Sequence, residues 1–214
     1  MCFSPEASFA GSAVIGTIGI ATLKTSFTKK KALLTSIPLL FALQQFCEGI
    51  VWLEMQGVMA HSNWTILAKN LFLFFALGLW PTFVPLAMLL AEPKPEKKKP
   101  LFFLLALGII ASYLSLSSYP IQKLYPEVVG HSLQYLSEAP LYKKGFYLFV
   151  IVFPFLYSSL RWIWIFGVLI LISFFFTEYF YAYASTSVWC FFSALLSVSL
   201  YFILKNKTHY PETH

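Results

Sequence analysis

The stretch ALLTSIPLLFALQQFCEGIVWLEM, residues 32–55, decides the fold class of this protein. Its only charged side chains are Glu48 and Glu54, and most of its other residues are apolar. A helix needs about 20 predominantly apolar residues to cross a bilayer. The stretch therefore predicts a transmembrane helix, and the polar residues inside it need an explanation.

The composition extends this interpretation to the whole chain. Of the 214 residues, 58% are hydrophobic, 19% are aromatic and 11% are charged, whereas charged residues make up about 25% of an ordinary soluble domain. The 9 acidic residues leave too little polar surface to cover a water-soluble globule of this size. The composition predicts an integral membrane protein and excludes a disordered chain, a coiled coil and a secreted disulfide scaffold.

Seven apolar segments divide the chain, which predicts an all-α polytopic protein with seven transmembrane helices. They comprise residues 6–23, 32–55, 65–91, 101–118, 144–160, 162–183 and 185–204. We expect a single seven-helix domain over residues 1–205 and a cytoplasmic tail over residues 206–214. The weakest boundary lies at residues 184–186, and without it the chain would have six spans and an outer C-terminus.

The basic residues indicate the orientation in the membrane. Eleven of the 15 Lys and Arg residues lie in alternate connections or at the C-terminus, including the clusters at residues 24–31 and 94–99. Cytoplasmic loops are enriched in Lys and Arg, so this pattern predicts an outer N-terminus and a cytoplasmic C-terminus. The same placement explains the net charge of +6 without a nucleic-acid partner, and the expected partner is the lipid bilayer.

Two of the connections differ in character. Residues 92–96 carry two prolines and three charges, which predicts that the preceding helix ends there and that the connection lies in water. Residues 119–144 form a long connection with three prolines, but they also include apolar residues such as Leu133 and Tyr135. We expect this connection to fold over the outer mouth of the helix bundle, either as a lid or binding loop or as a structural plug.

The second apolar segment carries polar residues on one helical face. Gln44, Glu48 and Trp52 fall at i, i+4 and i+8, and Gln45 lies three residues before Glu48. Ionisable side chains at membrane depth usually face a bundle interior or a water-filled cavity, and each is a candidate functional residue. Glu178, in the sixth segment, is expected at a similar depth in the same outer half of the membrane.

The predicted outer side also holds residues that bind metals in other proteins. Cys2, Glu48, His131 and Glu178 would converge there, and carboxylate with imidazole suits zinc or another divalent ion. A buried hydrogen-bond network, in which the glutamates are protonated or paired with neighbouring amides and tyrosines, is the competing interpretation. Cys2 and Cys190 form a candidate disulfide, because the outer side of a cell is oxidising.

Several motifs together resemble a known family. They are the opening MCFSPEASF at residues 1–9, PLLFALQQFCEG at 38–49, LWP at 79–81 with VPLA at 84–87, VGH at 129–131, and SVWCFF at 187–192. This combination is similar to a family of small bacterial membrane proteins that begin Met-Cys-Phe-Ser and are classed as a domain of unknown function. The resemblance implies a multi-pass protein of the bacterial cytoplasmic membrane and implies no chemistry.

We interpret the chain first as a binding or sensing protein with a polar pocket in the outer leaflet. The pocket would take a small polar or cationic ligand or a metal ion, through carboxylate, amide and aromatic side chains. The residues predicted to contact the ligand are Gln44, Gln45, Glu48, Trp52, Tyr135, Glu178 and Trp189.

Two alternatives stay open. The first is an intramembrane hydrolase acting on a lipid or amide, with Glu48 as general base, His131 assisting the activated water, and zinc held by histidine, carboxylate or Cys2. The helix number is similar to that of hydrolases related to alkaline ceramidases, but their paired histidines on one helix are absent here. The second is a small proton-coupled transporter that uses Glu48 and Glu178 as a proton relay. The oligomeric state is not predicted.

Overall fold

The computed structural model describes residues 4–26, 28–135 and 140–205, and these residues are almost entirely helical. The helices are α1 Pro5–Ser26, α2 Ala32–Met55, α3 Asn63–Phe74, α4 Trp80–Ala91, α5 Pro95–Ser118, α6 Leu141–Tyr157, α7 Ile163–Tyr181, α8 Ser185–Ser197 and α9 Ser199–Lys205. Short 3-10 turns cover Lys29–Lys31, Ile121–Lys123 and Ala182–Ala184, and a π-helical turn, Phe75–Leu79, joins α3 to α4. One antiparallel hairpin is formed by β1 Glu127–Val129 and β2 Ser132–Gln134.

Within the described ranges, five helical stretches are long enough and apolar enough to cross a membrane. They are Pro5–Lys24, Lys29–Met55, Asn63–Ala91, Pro95–Lys123 and Ile163–Lys205. The all-α class predicted from the sequence is therefore confirmed, as are several helices of membrane-spanning length. One predicted span, residues 144–160, is not among these stretches. It corresponds to α6, which has 17 residues.

The last of these stretches folds back on itself. It contains 43 residues, about twice the number that one span needs. The Nε1 of Trp189 on α8 donates to Ser173 Oγ on α7 at 3.2 Å, and the rings of Phe176 and Phe192 lie 5.5 Å apart. Residues 16 positions apart would lie about 24 Å apart along one continuous helix, so these contacts show that α8 folds back against α7 after the turn at Ala182–Ala184.

Antiparallel packing also brings α1 against α2. A Cβ at Gly19 would lie 2.8 Å from the side chain of Leu39, and a Cβ at Gly49 would lie 2.7 Å from the ring of Phe9. The two backbones can approach closely because these positions are glycines. Helix α3 continues into α4, and α8 continues into α9, but the helical stretches that the connections separate alternate in direction. The connections therefore gather at two ends of the bundle. We call the end that carries β1 and β2 the β-hairpin end, and the opposite end, with Lys29–Lys31, the lysine end.

The π-helical turn leaves backbone carbonyls that need partners. The hydroxyl of Tyr147 on α6 donates to the carbonyl of Ala76, and Ser112 Oγ on α5 donates to the carbonyl of Gly78 at 2.6 Å. π-Helical turns inside α-helices often occur at functional sites. Here two residues of the turn, Ala76 and Leu77, line a cavity between α5, α6, α7 and α8.

The connection between α4 and α5 corrects one prediction. The helix break at residues 92–94 is confirmed, but the prediction that Glu92 lies in water is wrong, because its side chain is buried. Its carboxylate accepts hydrogen bonds from Ser158 Oγ at 2.7 Å, from the backbone and hydroxyl of Ser159, and from the backbone of Lys94 at 3.1 Å. Burial alone would raise the pKa of Glu92, but these donors together hold the pKa below its ordinary value.

A second bond at the lysine end fixes the end of α6. The Nζ of Lys97 on α5 donates to the carbonyl of Tyr157 at 2.6 Å and lies 4.9 Å from the centre of the Tyr157 ring. Lysine near a helix C-terminus satisfies a terminal carbonyl and complements the helix dipole. Glu92 and Lys97 thus join the connection between α4 and α5 to the connection between α6 and α7.

Candidate functional site

The described part of the long connection packs into the β-hairpin end of the bundle. Leu133 and Tyr135 are buried among Trp52 on α2 and Phe72 on α3. The rings of Tyr135 and Phe72 stack with their centres 4.8 Å apart. The connection therefore closes this end of the bundle with β2 and the residue after it, while Val128, Val129 and His131 are exposed.

Lys69 on α3 anchors the same connection. Its side chain is buried, and its Nζ donates to the carbonyls of Ile121 at 3.0 Å and Leu124 at 2.7 Å. The same Nζ lies 4.5 Å from the centre of the Tyr125 ring. A buried ammonium is tolerated where carbonyls and an aromatic face replace its water.

Gln44 lies at the centre of the bundle with both ends of its amide bonded. Its Nε2 donates to Cys190 Sγ on α8 at 3.3 Å, and its Oε1 accepts from Trp80 Nε1 on α4 at 2.9 Å. Gln44 is fully buried. It therefore links α2, α4 and α8 through side chains alone, which is a structural role that a buried amide can fill without a ligand.

Glu48 is one turn further along α2 and is only half satisfied. One carboxylate oxygen accepts from Ser187 Oγ on α8, while the other has no hydrogen-bond partner among the described residues. The carboxylate is fully buried, and the salt bridges within the described ranges do not include it. A carboxyl group in this position needs a proton, water or a ligand beside it.

Three neighbours of Glu48 share this lack of partners. Both polar atoms of the Gln45 amide, the Nε1 of Trp52 and the hydroxyl of Tyr135 are buried without a hydrogen bond of regular geometry to the residues that the structure describes, although the Gln45 amide lies close to the Glu48 carboxyl. Burial, and then the charge of Glu48 beside it, raise the pKa of the Tyr135 hydroxyl well above its usual range. We call Gln45, Glu48, Trp52 and Tyr135 the buried polar cluster. Its mixture of donors and acceptors is typical of a site that holds ordered water or a small polar group.

A cavity of about 440 Å³ lies beside this cluster, between α5, α6, α7 and α8. Tyr135, Trp189 and Cys190 line its inner wall. Tyr135 belongs to the buried polar cluster and Cys190 accepts from Gln44, so these two side chains stand between the polar face of α2 and the cavity.

The mouth of the cavity carries three charged side chains. Lys144 Nζ on α6 pairs with Glu178 Oε2 on α7 at 2.6 Å, and the other Glu178 oxygen has no partner within the described part of the chain. Lys143 Nζ donates to Ser118 Oγ at the end of α5 at 3.1 Å and lies 5.7 Å from the centre of the Tyr119 ring. The mouth is therefore polar, while the interior is mainly aliphatic and aromatic.

The predicted ligand-binding residues divide into two groups. Tyr135, Glu178 and Trp189 line the cavity. The other four are buried on α2: Gln44, Gln45, Glu48 and Trp52. Sequence reasoning identified both groups and missed Lys143 and Lys144 at the mouth, although their position at the end of the predicted lid was a signal for them.

The residues proposed to bind zinc do not assemble within the described ranges. No group of three or more His, Cys, Asp or Glu side chains is close enough there to hold a metal ion. His131, predicted as a ligand or a catalytic group, is exposed at the turn between β1 and β2, and Glu178 is paired with Lys144. Cys2 lies outside the described residues. The described side chains therefore do not fit the zinc site.

The candidate disulfide also depends on Cys2 and so lies outside the described residues. Cys190 is buried and has a free thiol, and Cys47 on α2 is likewise free and buried. The hydrogen bond from Gln44 shows that Cys190 Sγ points toward α2.

Comparison with known proteins identifies the family. Residues 1–213 match the sequence profile described as "Family of unknown function (DUF6629)". The chain belongs to this family. The membership confirms the resemblance to an uncharacterised family that the motifs indicated. No curated protein and no solved structure matches this DUF6629 chain, so its function is argued from its own side chains.

Proposed function

We propose that this DUF6629 protein crosses the bacterial cytoplasmic membrane seven times, with its β-hairpin end outside, and binds a small ligand in the cavity. Five helical stretches of spanning length support the membrane assignment. Counting both arms of the helix pair at Ile163–Lys205 separately, and adding α6, gives seven crossings. The Lys and Arg residues gathered at the lysine end support a cytoplasmic location for that end.

The cavity is the observation that carries the binding function. Its volume of about 440 Å³ falls within the range of about 300–1,000 Å³ that is usual for small-molecule sites. Its lining is also typical of such sites, since apolar and aromatic walls surround a few polar groups. Three contacts fix the position of Trp189 in the wall. The centre of its ring lies 5.2 Å from that of Phe174 and 5.9 Å from that of Tyr147, and its indole N–H donates to Ser173 Oγ.

The buried polar cluster lies behind the wall of this cavity, and of its members only Tyr135 is part of the lining. Tyr135 lines the cavity and also belongs to the buried polar cluster. A movement of its side chain would therefore connect Glu48 to the cavity. This arrangement also favours proton-coupled transport as a second candidate, because a carboxylate lies on each side of the Tyr135 wall, Glu48 within and Glu178 at the mouth. We do not propose zinc hydrolysis, since the described side chains do not fit a zinc site.

Filling the cavity tests the binding function. Ser115 on α5 lines the cavity, and Ile109 on the same helix is exposed on the outer surface of the bundle. We expect Ser115→Phe to abolish retention of small molecules that co-purify with the wild type, as measured by native mass spectrometry from lipid nanodiscs. Ile109→Phe, the matched control, should retain them. Equal retention by both variants would show that the cavity is not the binding site.

Transport makes a different prediction in proteoliposomes. If the retained molecule is a substrate, its uptake should follow an imposed pH gradient and should be lost in Glu48→Gln while binding persists. Uptake that does not depend on the pH gradient would refute proton coupling, but it would not contradict the binding function.

A further inference from the structure

The charges at the mouth of the cavity are unbalanced. Lys143 and Lys144 face one carboxylate, Glu178, which is paired with Lys144. Lys143 donates to the hydroxyl of Ser118 and lies over the ring of Tyr119. No carboxylate within the described ranges forms a salt bridge with Lys143. Lys144 and Glu178 are also mostly withdrawn from solvent, with 14% and 20% of their side chains exposed. Counted over the described residues, the mouth thus carries one positive charge in excess, beside an ion pair that is largely shielded from water.

The cavity becomes apolar with depth. On α5 its wall is formed by Ser118, Ser115, Leu114 and Ala111, in order from the mouth inward. These residues extend over about 10 Å at the helical rise per residue. Phe174 on α7 and the inner aromatic Trp189 complete the deep part. A ligand that matches this gradient has an anionic head and an apolar body.

We propose that the cavity binds an anionic amphiphile, with its carboxylate or phosphate at Lys143 and Lys144 and its hydrocarbon chain between α5, α7 and Trp189. This inference rests on the proposed binding function and names the ligand class. Carboxylate and phosphate both form short, charge-assisted hydrogen bonds with lysine. Hydrocarbon burial against aromatic and aliphatic walls supplies the remaining affinity.

Glu178 regulates access in this arrangement. Its bond to Lys144 must be exchanged for a bond between Lys144 and the ligand head group, so the two anions compete for one ammonium. Removal of the Glu178 charge should therefore tighten binding of an anionic ligand, whereas removal of either lysine should weaken it. A purely structural role for the ion pair would not produce these opposite effects, since Lys144→Gln and Glu178→Gln break the same bond.

The experiment uses 9,10-dibromostearate, whose bromine atoms quench nearby indoles, with the full-length protein in zwitterionic nanodiscs. We expect saturable quenching that is lost in Trp189→Phe, and about tenfold weaker binding of the matched dibrominated alcohol, because the alcohol lacks the charge-assisted bonds. Lys143→Gln and Lys144→Gln should each weaken stearate binding about tenfold, and Glu178→Gln should strengthen it about threefold. Lys123→Gln, which removes an exposed lysine outside the cavity, should leave it unchanged.

A parallel arm separates the two sources of such a head group. Phosphatidylglycerol with brominated chains, built into the nanodisc, tests a bilayer lipid, while dibromostearate added from solution tests a free amphiphile; tighter saturable quenching by either identifies the source. Equal affinity for the carboxylate and the alcohol would overturn the anionic class while leaving cavity binding intact. Absence of saturable, Trp189-dependent quenching in every arm would overturn the amphiphile class, and the Ser115→Phe retention experiment would still decide the binding function by itself.

Discussion

Gly108 on α5 faces the carbonyl oxygen of Pro81 on α4, and a Cβ at Gly108 would lie 2.1 Å from that oxygen. Pro85 has no amide hydrogen to donate to this carbonyl in the way that a helix normally requires. A backbone atom cannot move aside as a side chain can, so Gly108→Ala must separate the two helices. We expect a loss of about 1–3 kcal/mol in the free energy of unfolding, measured by denaturant titration in detergent micelles.

Gly145→Ala on α6 is the matched control. Among the described residues, no atom outside the chain neighbours and backbone of its own helix lies within 4 Å of a Cβ at Gly145, and alanine favours a helix over glycine by about 1 kcal/mol. This variant should be as stable as the wild type or slightly more stable. If both substitutions have the same effect, α4 and α5 do not approach as closely as described.

Glu92, at the lysine end, should make the stability of the folded protein depend on pH. The folded state lowers the pKa of this carboxyl, so its stabilising contribution is fully present above the unfolded pKa, about 4.3, and is lost as the pH falls through the folded pKa. Glu92→Gln replaces one of the two carboxylate oxygens by an NH2 group, so two of the four donors lose their acceptor. The substitution should cost about 1–3 kcal/mol of unfolding free energy at neutral pH. The difference in Tm between wild type and variant should shrink below about pH 4.

Glu96→Gln provides the comparison for that experiment, because Glu96 is exposed only four residues away. Glu96→Gln should lower the Tm at neutral pH much less than Glu92→Gln does. A Glu92→Gln difference that stays constant down to pH 3 would show that the carboxylate is not held by Ser158 and Ser159.

Lys69 should control the exposure of the connection over the β-hairpin end. In Lys69→Met the side-chain volume is largely kept, but the carbonyls of Ile121 and Leu124 lose their donor. The segment between them contains Lys123, a trypsin site, so we expect faster cleavage after Lys123 in Lys69→Met. Lys98→Met, at an exposed position near the lysine end, should cleave at the wild-type rate. Unchanged cleavage in Lys69→Met would mean that other contacts hold the connection.

The sequence predicted what depends on local hydropathy. The segment predicted at residues 32–55 coincides with α2, because the apolar run and the helix have the same first and last residues. By contrast, α5 begins at Pro95, six residues before the predicted start, since proline is well suited to the first turn of a helix and charged residues continue the helix beyond the apolar core. Hydropathy marks the apolar part of a helix and not its first turn.

The partners of the polar residues were not predictable in the same way. The spacing of Gln44, Gln45, Glu48 and Trp52 identified the polar face of α2, because side chains at i and i+4 share a face. Their partners Ser187 and Cys190 lie 139 and 146 residues further along the chain, where only the packing of α2 against α8 brings them. The buried state of Glu92 has the same origin, since Ser158 is 66 residues away.

Glu48 and Ser187 should be energetically coupled across α2 and α8. Ser187→Ala removes the donor to the buried carboxyl and should cost about 1–3 kcal/mol in unfolding free energy. Glu48→Gln keeps the shape and an acceptor oxygen, so it should fold normally, whereas Glu48→Leu removes the acceptor. In a double-mutant cycle, the cost of Ser187→Ala should therefore fall by about 0.5–3 kcal/mol in the Glu48→Leu background, measured by denaturant titration in micelles.

Thr35→Ala on α2 is the control. Among the described contacts, the Thr35 hydroxyl donates only to carbonyls of its own helical turn, so the costs of Thr35→Ala and Glu48→Leu should be additive. Additive costs for Ser187→Ala as well would show that its hydroxyl does not bond the Glu48 carboxyl in the folded protein.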